Sequence, residues 1–101
     1  MADTTLQRAR HAFRDARHGL AHAVVAGRRG EIERAAREVL AARDRLAEAM
    51  ERPDDRHRRD VRVLQRWRRF ALSALRHDPP PAGLVDRARD LVALNDSRRT
   101  R

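Results

Sequence analysis

The sequence predicts an all-α fold: an antiparallel helical hairpin joined by two further helices into a four-helix-bundle-like unit. Three observations carry this reading. Strong helix formers, alanine and arginine, dominate a chain that has only 3% aromatic residues and few β-branched ones. Apolar residues recur at alternating spacings of three and four, which is the signature of one buried helical stripe. Glycine and proline fall between the periodic runs rather than inside them, where they end helices. A chain of 101 residues supports one core, so residues 1–95 read as a single domain and 96–101 as a basic, disordered tail.

The first helix is expected over about residues 5–26, where Leu6, Ala9, Phe13, Ala16, Leu20 and Ala23 share a face. A second, over about 31–51, repeats the pattern with Ile32, Ala35, Val39, Ala42, Leu46 and Ala49. Each large residue alternates with alanine, so the two backbones can approach closely. Between them "GRRG", Gly27 to Gly30, supplies the left-handed conformation that stops the first helix and reverses the chain. Dimerisation of such a hairpin is the alternative arrangement.

Pro53 stops the second helix, and Asp54 or Asp55 can cap the third, expected over about 55–77. Within it Leu64, Trp67, Ala71, Ala74 and Leu75 occupy one wedge, flanked by Val63 and Phe70. "DPPPAG" at Asp78 to Gly83 is a rigid break. Leu84, Ala88, Leu91 and Asn95 then mark a fourth helix over about 81–95.

Charge points to an anionic partner. The formal net charge is +9 and every basic residue is arginine. Residues 56–70, "RHRRDVRVLQRWRRF", hold seven arginines against Asp60 alone. In a helix Arg58, Arg59, Arg62, Arg66, Arg69 and Arg76 form a stripe, whereas Trp67 turns to the core, so the ring is not a base-stacking platform. Like charges four residues apart destabilise an isolated helix by a few tenths of a kcal/mol per pair, roughly, and the second helix interleaves acids where the third does not. The stripe is therefore the expected partner- or phosphate-binding face. Val61 and Leu72 lie away from the core wedge and are candidates for an apolar interface.

His11, Asp15, His18 and His22 share a wedge about 60° wide on the first helix. His18 and His22 at i, i+4, with Asp15, have a spacing that can chelate a transition metal or respond to pH. The wedge faces away from Leu6, Phe13 and Leu20, so no metal is expected there. Arg17 and His22, and again Arg52 and His57, show an Arg-x4-His spacing that resembles the Arg/His pair of small helical ribonucleases of the HEPN type. In so arginine-rich a chain the spacing carries no weight, and Pro53 splits the second pair.

Enzymatic templates are missing. Cysteine, lysine and tyrosine are absent, as are GxGxxG, Walker, GxSxG, HExxH and ExxH patterns. No run approaches the roughly 18 apolar residues of a membrane span, and the chain reads as a cytoplasmic protein without a cofactor. The expected function is a small non-enzymatic interaction module that binds an acidic protein through the third helix. The alternative is low-specificity nucleic-acid binding through the same arginines.

Overall fold

The computed structural model describes residues 2–50 and 58–99, and these form four helices. They are α1 (Ala2–Ala26), α2 (Arg29–Ala49), α3 (Arg58–Arg76) and α4 (Ala82–Arg99). No strand occurs among the described residues. The expected caps at Asp54 and Asp55, the stop at Pro53, and the pair Arg52 and His57 lie outside them.

Gly27 ends α1 as its position implies. Its φ of 72° is left-handed, and its N–H donates to the carbonyls of Ala23 and Val24 at 3.0 and 3.2 Å. Such a φ is strained for any residue with a Cβ. Gly30 lies inside α2, so the reversal needs only Gly27 and Arg28. The short turn forces α1 and α2 antiparallel, and they form the most extensive helix pair in the molecule.

The large residues of the expected seam fall inside, with Phe13, Leu20, Ile32 and Val39 almost fully buried, whereas of its alanines only Ala23 and Ala42 are buried and Ala9, Ala16 and Ala49 are half-buried. Ala36, rather than the expected Ala35, is fully buried, while Ala35 is only half-buried. The reason is that α2 packs against α1 on one side and α3 on another, so its buried arc is wider than one stripe. From α3, Leu64, Trp67, Phe70, Ala71 and Ala74 enter the core. The Trp67 and Phe70 rings meet with centroids 4.8 Å apart at 43°, a tilted pair of favourable geometry.

The fourth helix packs on α1 rather than on its sequence neighbour α3. Ala88 of α4 is buried, and on α1 the core also takes in Val24, on the same face as Leu6 and Leu20, and Ala21, which lies beyond the expected stripe. Going around the molecule the helices follow the order α3, α2, α1, α4, and α1 also touches α3. The smallest dimension of the molecule, 22 Å, is about two helix diameters. Pro81 starts α4 by accepting hydrogen bonds from Leu84 and Val85 at 3.0 and 3.1 Å. The helix continues to Arg99, so residues 96–99 of the expected tail are helical.

Of the two apolar interface candidates, Val61 is half-buried and packs against the core cluster, whereas Leu72 is half-buried and lies outside that cluster.

Candidate functional site

The arginines of α3 are all exposed, and the fold divides them into groups. Arg62, Arg66 and Arg69 line a groove of about 680 Å³ between α3 and α4. Arg87 of α4 joins them from the opposite wall, with Phe70 and Leu84 as the apolar lining and Gln65 and Ser73 as polar groups. The groove exists because α3 and α4 each pack on the hairpin and not closely on one another. Its size lies within the range of about 300 to 1,000 Å³ that is common for binding sites.

The other stripe members sit elsewhere. Arg59 lines a second depression with Asp60, Arg10 and His11. There Arg10 of α1 donates to the Asp60 carboxylate at 2.8 Å, tying α1 to α3. Arg58 and Arg76 are exposed and outside the groove. Arg76 stands in the last turn of α3, where a cation complements the helix dipole. Sequence reasoning missed Arg87, and only the packing of α4 on α1 brings it opposite α3.

A smaller cleft of about 240 Å³ opens between α1, α3 and α4. Trp67, Leu91 and Leu94 give it apolar walls, and Arg14, Arg17, Arg66 and Arg98 surround it with positive charge. Leu94 is 51% exposed, the most exposed large apolar residue described. The guanidinium of Arg17 lies 4.9 Å from the ring centre of Phe13 and 5.9 Å from that of Trp67, within cation–π range. Burial, then the neighbouring charge of Arg14, lowers the pKa of Arg17 from its ordinary value, and Asp60 opposes them.

The histidine wedge does not act as one face. His11, Asp15 and His22 are exposed, whereas His18 is half-buried and lines the small cleft. Its pKa is lowered by burial first and then by the charges of Arg14 and Arg17, with Asp15 opposing. Among the described residues no group of three or more His, Cys, Asp or Glu side chains is placed to hold a metal. Arg17 and His22 also part company, since Arg17 turns to the small cleft and His22 to a shallow depression beside Glu31 and Glu38.

No described helix is long and apolar enough to cross a membrane. No family model, curated protein or solved structure matches the chain.

Proposed function

We propose that this protein is a non-enzymatic helical interaction module whose α3/α4 groove takes an acidic segment of a partner protein. The observation that supports this reading is the composition of the groove. Arg62, Arg66, Arg69 and Arg87 share it with Phe70 and Leu84. Phosphates need only the cations. An acidic amphipathic segment uses both, placing carboxylates on the guanidinium rims and an apolar side chain between them.

The test is fluorescence anisotropy at about 0.15 M salt, where exposed charges are screened beyond roughly 8 Å. The probes are an acidic amphipathic peptide, the same peptide with its leucines replaced by serine, and a mixed-sequence DNA duplex. The first should bind, the second at least about ten-fold more weakly, and Arg62→Glu/Arg69→Glu should abolish both. A duplex that binds more tightly than either peptide, with affinity falling log-linearly with salt, would establish the nucleic-acid function instead.

A further inference from the structure

We propose that the cleft between α1, α3 and α4 is a binding site for a small carboxylate with an apolar body, received by Arg17 and Asn95. Asn95 is 9% exposed, yet its Nδ2 has no hydrogen-bond partner in the protein. The Nε of Arg17 is buried and equally unpartnered. Both side chains line the same cleft, one from α1 and one from α4. Buried donors left unpaired cost stability, and native structures hold few of them. Arg43 Nε is a third such atom and does not line this cleft, and all three have almost no accessible surface, so an acceptor in the cleft meets Arg17 and Asn95 once these two side chains turn toward it.

The chemistry of the walls narrows the ligand. Phe13 and Trp67 support the guanidinium of Arg17, and a guanidinium resting on aromatic rings keeps its in-plane N–H groups for a planar acceptor such as a carboxylate. Asn95 can donate or accept beside it. Arg14, Arg66 and Arg98 attract any anion, and Trp67, Leu91 and Leu94 add walls for an alkyl or aryl body, which a compact dianion lacks. The volume of about 240 Å³ suits a small ligand, such as a leucine-sized acid. Its source is either a free small acid or the last residue of a polypeptide, which present the same group.

Trp67 is the chain's single tryptophan and forms a wall of the cleft, so its fluorescence reports occupancy in the full-length protein. The probes are 4-methylpentanoate, its primary amide, orthophosphate, and a short peptide ending in leucine with a free or amidated C-terminus. The acid should produce a saturable change, with the neutral amide at least about ten-fold weaker. Stronger binding of the free-ended peptide assigns a polypeptide terminus, and stronger binding of the free acid assigns a small molecule.

Arg17→Met and Asn95→Leu should each weaken the acid about ten-fold or more, and Asn95→Leu should melt at or above the parent temperature because it removes an orphaned donor. Neither residue lines the α3/α4 groove, so both variants should retain binding of the acidic amphipathic peptide. The proposal is overturned if acid and amide bind alike, if orthophosphate matches the acid, or if Asn95→Leu lowers the melting temperature and leaves affinity unchanged. Should a variant fail to fold, the acid and amide comparison on the parent protein decides.

Discussion

The guanidinium of Arg29, in the first turn of α2, donates to the carbonyl of Ala74 at 2.8 Å, near the end of α3. The same side chain reaches the carbonyls of Leu75 and His77 at 2.6 and 2.9 Å, while its Nε pairs with Glu33 at 3.2 Å. The last carbonyls of a helix have no partner within it and carry its negative pole. One arginine therefore caps α3 and fixes it against the hairpin.

Removing this cap should be costly. Charged hydrogen bonds to otherwise unpaired carbonyls are worth about 1.5 to 3 kcal/mol, so Arg29→Ala should destabilise by about 2 kcal/mol, measured by urea denaturation. Arg28→Ala removes only an exposed pair with Glu31 and should cost less than about 0.5 kcal/mol. Equal losses at the two positions would show that the α3 cap contributes nothing special.

Close packing of α2 through alanine sets a second expectation. Ala36 is fully buried and Ala42 nearly so. Ala36→Leu and Ala42→Leu should each cost about 1 to 3 kcal/mol by overpacking, whereas Ala16, half-buried on α1, should accept leucine with a smaller loss. Melting of the Ala36→Leu protein at the parent temperature would disprove the tight seam.

The bridge between Arg10 and Asp60 should matter less than its 2.8 Å length suggests, because the Arg10 side chain is 44% exposed. A double-mutant cycle with Arg10→Met and Asp60→Asn should return a coupling of no more than about 1 kcal/mol, smaller in high salt. A coupling several-fold larger would identify this contact as a principal link between α1 and α3.

His18 predicts a pH effect of definite sign. Its pKa is lowered in the folded protein, so below its ordinary value of about 6.5 the unfolded chain binds the proton more readily. The contribution is fully present above that pH and is lost as pH falls through the lowered folded value. Thermal stability should therefore decrease as pH falls from about 7 through that window, and His18→Gln should flatten the decrease. A slope unchanged by the substitution would assign it to other groups.

Most of the hairpin was legible because local rules decide it. Gly27 stops a helix through its own backbone, and the large/alanine alternation places Phe13, Leu20, Ile32 and Val39 inside. Trp67 could be assigned to the core because a helix separates in space what is adjacent in sequence. Tertiary choices were not legible. The spacing of Leu84, Ala88 and Leu91 marks a face on α4 but not the helix it meets, so its contact with α1, the burial of Ala21, and the approach of Arg87 to the α3 arginines had no local signal. Arg29 was hidden differently: among 24 basic residues, nothing in its type separates a structural cap from a solvated charge.

The docking of α4 chiefly on α1 has a consequence for how the molecule opens. A terminal helix held along one side by the partly buried Leu84, Val85, Leu91 and Val92 and the fully buried Ala88 can detach while the hairpin and α3 stay joined, which makes it a separate cooperative unit. Its amides should exchange with deuterium faster than those at the centre of α2. Because α4 supplies Asn95, Leu91 and Leu94 to the small cleft, whatever occupies that cleft should slow the exchange of this helix first, and the lifetime of the closed state then sets how long an occupant remains.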